Sequence, residues 1–581
     1  MSPSKRWIVA PKGNPDYLRR YSGMSAILAQ VLYNRGFTDP QDAARFLRAD
    51  DLQSGALLKL KRSKSAQIDR AVARIRSAIS RKELIIVYGD FDADGVTSTA
   101  LLVQALRSLG AVVKPYIPHR VDEGYGLNAE ALLKLARAGA KLVITVDCGI
   151  RSVQEVEDGR AYGLDIIITD HHSIGPDVPN AYAVINPKLT DTEYSEPMLA
   201  GVGVAYRLAE ALITVSSNYG KNGLKPVDPL DLLDLVAIGT VADLAPLNSV
   251  ENRAMVKRGL AIINANKRLG LNALIEVAQM KSGMIRAEHI GYTLGPRINA
   301  AGRLASAMQA YYLLSSSEDK QAIELAQELQ SLNTQRQELT RSAQEMIRQR
   351  LIEQGNLDAP LIFASDSSFQ PGIVGLVAGR LTEEFSRPAI VMEEGAHESR
   401  ASCRSIPQFD ITEALDQCAA LLVRHGGHAQ AAGFTVLNSN IGALRERLTA
   451  IAEEALTGQD LRPMLDIDAE LETRDLNLSL AEELTLLEPT GHGNPVPVFV
   501  SKGLKVIEAR TVGKDDRHLK VKFARPDANP LDGIGFSLGE WAGQMPNTVD
   551  VAYQLEINEW NGNRSAQLVI QDLRPAGSPD L

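Results

Sequence analysis

At 581 residues the chain exceeds what one hydrophobic core organises, so three or four domains of ordinary size are expected. Hydrophobic residues at 45% and charged residues at 23%, with no basic-then-apolar leader and no long uncharged apolar run, exclude a secreted or membrane-spanning class and predict a cytoplasmic protein. The formal net charge of −9 works against nucleic-acid binding by overall attraction but leaves room for a local basic channel.

Three cysteines, Cys148, Cys403 and Cys418, none in a C-x-x-C pair, exclude a disulfide framework or a zinc knuckle and fit a reducing compartment. Residues 1 to about 65 are mixed, with a basic cluster at Lys59–Lys64 that suits a solvated surface or a phosphate contact. From Gln67 the pattern turns helical, because Ile68, Val72, Ile75 and Ile79 share one face. Strands and helices then alternate: the strand LIIVYG, a helix over 96–109, the strand VVKPYIP, a helix near 129–138, the strand KLVITVD, a helix near 152–162 and the strand LDIIITD. Continuous apolar strands between helices predict an α/β domain with a parallel sheet covered on both faces, extending to about residue 270. Residues 317–354, without proline and rich in Gln, Glu, Leu and Arg, read as a long helix joining two domains. A smaller α/β unit follows, from APLIFASD through the glycine-rich RHGGHAQAAGFTV to about residue 458. From about residue 463, short β segments separated by turns predict a small antiparallel barrel such as an OB-fold.

The first strand runs directly into Gly-Asp-Phe-Asp-Ala-Asp-Gly, with Asp90, Asp92 and Asp94 at alternate positions. In an extended chain alternate side chains point to one side, so three carboxylates would converge and repel unless a cation sat among them. Two other readings exist for the motif. A calcium-binding loop also opens D-x-D-x-D-G, but the twelfth position counted from Asp90 is Leu101 instead of Glu, and a strand precedes the motif in place of a helix. The aspartates could also simply cap the helix that follows.

Further acidic and imidazole groups stand at corresponding places: Asp147 ends one strand, Asp170, His171 and His172 end the next, and AIGTVADLAP offers Asp243. The carboxyl ends of parallel strands share one edge, where ligands bind in such folds. A lone histidine on a strand is commonly a packed core residue; a pair following an aspartate at a strand end points to ligation by His171. Five aspartates and one histidine, without cysteine, offer mostly hard oxygen donors and suit Mn²⁺ or Mg²⁺, with room for two ions. Two such ions would activate a water and clamp the oxygens of a displacement at phosphorus, which implies phosphoester hydrolysis.

Asp90, Asp92 and Asp94, then Asp147, then Asp170-His171-His172, then Asp243 resemble the four motifs of the DHH phosphoesterase superfamily. RHGGHAQAAGF (Arg424–Phe434) and ASCRS (Ala401–Ser405) resemble its DHHA1 domain, while YTLGPRINAAGRL (Tyr292–Leu304) and LEPTGHGNPVPVF (Leu487–Phe499) resemble elements of the RecJ family of single-strand-specific exonucleases. The resemblance spans nearly the whole chain and implies a 5′ to 3′ exonuclease that releases mononucleotides from single-stranded DNA in recombination and repair. It implies metal ligation by Asp90, Asp92, Asp94, Asp147, His171 and Asp243, with Asp147 bridging two ions and His172 contacting the scissile phosphate. Arg120 would hold the 5′-terminal phosphate, with Ser402, Arg404, Gly426, Gly427 and His428 on the opposite wall. Arg297, Asn299 and Arg303 would meet the approaching strand, although surface ion pairing is the ordinary fate of such arginines. Trp541, Trp560, Phe523 and Phe536 are the aromatics available to stack on bases in the terminal barrel, where core packing competes for each.

The domain plan is then an N-terminal segment, 1–65, packing on the catalytic domain; the DHH catalytic domain, 66–270; a linker with the long helix, 271–355; DHHA1, 356–458; and an OB-fold-like domain, 459–581. Phe369 and Gln370 depart from the Trp and His many relatives place there, and the chain is expected to resemble the shorter form of the family, without the further C-terminal domain of longer relatives. The family implies a single-stranded-DNA-binding protein and a RecQ-type helicase as partners, and the self-sufficient domain set implies a monomer. The rival readings are a DHH hydrolase of short oligonucleotides, cyclic dinucleotides or polyphosphate, distinguished by substrate length, and a metal-free scaffold, opposed by the intact motif positions.

Overall fold

The computed structural model describes residues 5–49, 66–120, 122–189, 196–217, 225–525 and 529–578, and the basic cluster Lys59–Lys64 lies outside them. The described residues fall into two compact units, one within Ala49–Gln459 with Gly491–Gly493, the other within Met1–Arg48, Asp460–Thr490 and Asn494–Leu581. A first strand, β1 (Arg6–Val9), belongs to the smaller unit.

The larger unit opens with the helix Ala66–Ser80, which buries Ile68, Val72 and Ile75 on the face their spacing predicts. Five strands follow: β2 (Leu84–Gly89), β3 (Val112–Tyr116), β4 (Ala140–Val146), β5 (Asp165–Thr169) and β6 (Ala183–Ile185). They form an all-parallel sheet in the order β3-β2-β4-β5-β6. Alternation along β2 sends Ile85 and Val87 into one core and Ile86 and Tyr88 into the other, so both faces are covered and the strand is apolar throughout. Strand order reverses between β2 and β4, which opens a crevice at their carboxyl ends.

The helices Gly201–Ser217, Leu233–Ala242 and Gly295–Leu304 follow the sheet and complete the site. Residues of 271–329, assigned from sequence to a linker, contribute Leu274, Ile298, Leu313 and Leu329 to the first core, so only the later part of the helix Asp319–Glu353 connects domains. The second α/β domain holds β7 (Ile362–Asp366), β8 (Ala389–Glu393), β9 (Glu398–Arg404), β10 (Leu422–His428) and β11 (Ala431–Leu437) in the order β10-β11-β9-β8-β7. The helix Val374–Phe385 shares a core with Ile347 and Leu351 of the long helix, and Phe369 is buried there, which gives that departure from the family pattern a packing role.

In the smaller unit, β12 (Met464–Ile467) pairs in parallel with β1, and the short β13 (Ala469–Glu470) pairs with β14 (Phe499–Val512). The strands β14, β15 (His518–Phe523), β16 (Leu531–Gly535), β18 (Asn563–Pro575) and β17 (Thr548–Trp560) lie in that order, and β17 pairs back onto β14. This closed five-stranded barrel has the architecture of an OB-fold. The expectation that the N-terminal segment packs on the catalytic domain is corrected: Leu28, Leu32 and Phe46 share a core with Phe499, Phe523 and Tyr553 of the barrel. The Trp7 indole donates to Asp572 at 2.7 Å. An amphipathic helix shows that it has an apolar face, and sequence pattern alone does not say which core that face meets. Phe523 is core, Trp541 packs partly buried against the same cluster, and Phe536 and Trp560 are exposed.

Candidate active site

Each acidic group of the cluster reaches the crevice by its own local device. Asp92 is the N-cap of the helix Ala93–Ser108, accepting from the Asp94 and Gly95 amides at 3.0 Å each, so the capping reading of the motif holds for this residue. Asp94, in the first turn, accepts from the Gly201 and Val202 amides at 2.7 and 2.9 Å. A Cβ at Gly201 would lie 2.6 Å from the Asp147 Cβ, so only glycine lets the start of that helix approach. Asp147 follows β4 with φ of 63°, a left-handed conformation rare for a non-glycine residue and common where strain is stored at functional sites. Asp243 caps the C-terminus of the helix Leu233–Ala242, where the helix dipole disfavours a negative charge.

These devices bring the groups together. His171 Nε2 lies 3.1 Å from Asp147 Oδ1, 3.7 Å from Asp243 Oδ2 and 3.9 Å from Asp94 Oδ2. Among the described residues, Asp90, Asp92 and Asp147 offer one set of atoms close enough for a shared cation, Asp94, His171 and Asp243 a second, and Asp147 with His171 and His172 a third. Asp90 Oδ1, Asp147 Oδ1 and His171 Nε2 are buried without a hydrogen-bond partner. Orphaned buried atoms of this kind cost stability unless something positive satisfies them. The residues present therefore fit hard divalent cations.

The electrostatics agree. Burial and then neighbouring carboxylates push Asp94 up to about 7 and Asp243 up to about 9, and Asp90 and Asp147 are likewise raised. Burial, then the neighbouring His172, lowers His171 to about 3, so its imidazole is neutral and free to ligate. Asp170 stands apart from the ligand sets. It accepts from the His171 and His172 amides, from the Ile150 amide and from His172 Nδ1 at 2.8 Å. Burial would raise it, but those bonds from His172 hold it below the usual carboxylate range. Burial alone would lower His172, and the bond to Asp170 and its charge raise it instead.

Sequence reasoning missed Tyr125, whose hydroxyl lies 3.2 Å from His172 Nδ1; its only signal was an aromatic between two glycines close to Arg120. The Arg120 guanidinium stacks 4.7 Å from the Phe91 ring centroid and feels the charges of Asp90 and Asp92. Arg303 donates to the Gly372 carbonyl at 3.0 Å, and burial, then the cations Arg120 and Arg336, lower it to about 10. Arg404 is repelled by Arg120. The structure thus gathers Arg120, Arg303 and Arg404 beside the acidic cluster.

Arg404 donates to Ser402 Oγ at 3.3 Å, and a Cβ at Gly375, at the start of the helix Val374–Phe385, would meet Ser402 Oγ at 3.0 Å. Gly426, Gly433 and Ser402 stand in register across β10, β11 and β9, as do His428, Ala431 and Arg404. Directly opposed residues share a sheet face, so Ser402, Arg404 and His428 flank a patch with no side chains at Gly426 and Gly433. Gly427, one position along, belongs to the other face, and its φ of 152° and close backbone neighbours require glycine. Arg297 is held by Gln330 Oε1 and the Thr293 carbonyl, both at 2.8 Å. Asn299 is partly committed to the fold, since its Oδ1 accepts from the Ala93 amide at 2.7 Å and steadies the aspartate loop.

A parallel sheet whose switch point carries carboxylates and imidazoles, faced by a glycine-rich second domain, defines a phosphoesterase of the DHH class. Residues 84–240 match the DHH family N-terminal domain, 358–454 the DHHA1 domain and 467–572 the RecJ OB domain. The chain is similar to the single-stranded-DNA-specific exonuclease RecJ of Bacillus subtilis, 38% identical over 94% of this chain and 68% of that protein. The RecJ of Dickeya dadantii is 37% identical over 95% of this chain and 96% of that protein. The structure of this chain is similar to that of RecJ in complex with Mn²⁺ from Thermus thermophilus, with a TM-score of 0.83 and 33% identity over 99% of this chain and 80% of that chain. The Mg²⁺ complex from the same organism gives a TM-score of 0.76 at 31% identity over 99% of this chain and 79% of that chain. The chain belongs to the RecJ family of single-stranded-DNA-specific exonucleases.

Proposed function

We propose that the protein is a metal-dependent exonuclease that degrades single-stranded DNA from the 5′ end to 5′-mononucleotides, acting in DNA recombination and repair. The observation that carries this reading is the pair of ligand sets around His171 and around Asp90 and Asp92, each within reach of the buried, unpartnered Asp147 Oδ1. Asp90, Asp92 and Asp147 would hold one divalent cation, and Asp94, His171, Asp243 and Asp147 a second, either Mn²⁺ or Mg²⁺. Such ions supply Lewis acidity at phosphorus and make a water acidic enough to attack near neutral pH.

The protein's own groups do the rest. His172, held by Asp170, whose bond and charge raise its proton affinity against the opposing effect of burial, donates to an oxygen of the scissile phosphate. Tyr125 steadies that ring through its hydroxyl. Arg120, with its side chain packed on Phe91, and Arg404, with Ser402, hold the terminal phosphate from opposite sides, and Arg303, which feels the charges of both, adds a third cation. Gly426 and His428 let the backbone of a strand lie against β10, which is the edge of its sheet. The exposed Phe536, whose ring packs edge-on to His518 at 5.4 Å, offers a stacking surface on the barrel.

We further propose that the protein works as a cytoplasmic monomer, recruited by a single-stranded-DNA-binding protein and a RecQ-type helicase. No helix among the described residues is long and apolar enough to cross a membrane. The test of activity is one oligonucleotide labelled at either end, offered single-stranded or as blunt duplex, with Mn²⁺, Mg²⁺ or chelator. Mononucleotides released from the 5′ end of single strands alone, and only with metal, uphold the reading. Survival of long DNA while dinucleotides or polyphosphate are cleaved replaces it with a small-substrate phosphoesterase.

A further inference from the structure

The second candidate cation set, Asp94, His171 and Asp243, draws on chain segments far apart in sequence. Asp94 is held by the Gly201 and Val202 amides, and the backbone of Leu199 meets the His171 ring, so residues 198–202 brace two of the three ligands. Asp243 leads into Leu244, whose φ of 59° is left-handed, and the chain then runs through Pro246 and Leu247 to Ser249, the N-cap of the helix Val250–Asn264. The Leu247 amide donates to the His492 carbonyl at 2.7 Å, which holds this second run from one side.

One side chain joins the two runs. Asn252, in the first turn of that helix, is fully buried, and its Nδ2 donates to the Met198 carbonyl at 3.0 Å and to the Pro246 carbonyl at 3.1 Å. A primary amide carries two N–H groups in one plane, so both are engaged here and the two carbonyls are fixed relative to each other. Met198 is followed at once by Leu199, and Pro246 lies three positions beyond Asp243. The other polar atom of the amide, Oδ1, is buried without a hydrogen-bond partner. An unpartnered buried acceptor costs stability that an apolar side chain would not, so cohesion alone does not account for an asparagine at this place.

We propose that Asn252 is a positioning residue for the second cation: its amide clamps the run that braces Asp94 and His171 to the run that follows Asp243, and so sets the separation of the three ligands. It acts through two backbone carbonyls and supplies no ligand atom itself. Groups behind metal ligands fix ligand orientation, and removing one commonly weakens metal binding by about 10- to 100-fold. Asp92, of the first set, bonds amides of its own helix, so an ion held there depends less on the clamp. The proposal rests on the two-cation reading of the site.

The experiment is a Mn²⁺ titration of the full chain at fixed pH without DNA, with free Mn²⁺ read by electron paramagnetic resonance. Asn252→Ala is compared with wild type, with Asn252→Ser, whose hydroxyl restores one donor, and with Asn264→Ala on the same helix. Asn264 bonds the Ile285 carbonyl at 3.0 Å and the Ile285 amide at 2.7 Å, so its loss removes a comparable tie from a run that carries no candidate ligand. In Asn252→Ala one ion should bind as in wild type and the other about 10- to 100-fold more weakly. Asn252→Ser should lose less, and Asn264→Ala should keep both affinities even where its melting temperature in chelator falls as far. Unchanged affinities in Asn252→Ala overturn the proposal, as does an equal loss for both ions or the same loss in Asn264→Ala, since either marks a general loosening of the fold. Should Asn252→Ala fail to fold, Asn252→Ser decides: a selective loss at one ion upholds the proposal, and unchanged affinities overturn it. A wild type that binds fewer than two ions overturns the two-cation reading instead, and so is distinguishable from failure at Asn252.

Discussion

The two sides of the candidate site are built by opposite means. The acidic side uses strand ends of one sheet, and its carboxylates are buried among one another, so their charge is costly until cations arrive. The basic side draws Arg120, Arg303 and Arg404 from a loop, a helix and a strand of different domains, and among the described residues Arg303 and Arg404 donate only to neutral oxygens. Like groups crowd on each side, carboxylates on one and guanidinium groups on the other. A bound phosphodiester with its metal ions would neutralise both at once, which couples affinity to correct placement.

Substitutions that remove one side's charge break this comparison most directly. Asp147→Asn removes the carboxylate that is grouped with Asp90 and Asp92 and lies 3.1 Å from His171, and should lower turnover by about 10³-fold or more while leaving the fold intact. Retained turnover in a metal-replete assay would sink the bridging role. His172→Gln should cost about 10²-fold in kcat with little change in KM, read from steady-state kinetics on a single-stranded oligonucleotide. Arg404→Ala should weaken substrate binding by about tenfold, more than Asp147→Asn does; equal affinities for wild type and the Arg404 variant would remove that arginine from the strand path.

A smaller effect separates the two sides by stability. Asp94 and Asp243 have folded values of about 7 and about 9 against 3.8 for the ordinary group, so the folded, metal-free protein holds protons that the unfolded chain has released. Their contribution is fully present below about pH 4 and is lost as pH rises through 7 and 9. In chelator, thermal stability relative to Asp94→Asn and Asp243→Asn should therefore fall with rising pH over that window, and Mn²⁺ should remove the difference. A flat difference across the window would show that the carboxylates do not hold protons in the metal-free fold. The smallest effect is expected on the barrel: Phe536→Ala should weaken single-strand affinity several-fold with no change in melting temperature. Phe523→Ala, in contrast, should cost about 3–5 kcal/mol of stability by chemical denaturation.

The acidic side was legible in the sequence because a parallel sheet fixes where strand ends lie. Once LIIVYG, KLVITVD and LDIIITD are strands, Asp90, Asp147 and His171 must share an edge. The spacing of the motif also admitted Asp92 as a helix cap, and the fold uses it so. The division of labour between Asp170 and His171 was not legible from composition or periodicity, because adjacent residues at a strand end differ only in which way the backbone turns them. One carboxylate ends on three backbone amides, while the neighbouring imidazole faces Asp147.

Local patterning thus determined the α/β class, the barrel, the long helix and most of the candidate metal-binding residues, since each depends on periodicity or on residues a few positions apart. Tertiary structure alone decided that the helices Ala26–Asn34 and Pro40–Leu47 complete the barrel's core, that Gly201 must lack a side chain for Asp147 to fit, and that Tyr125 reaches His172. These depend on which surfaces meet across long stretches of chain, and packing of that kind leaves no period in the sequence to read.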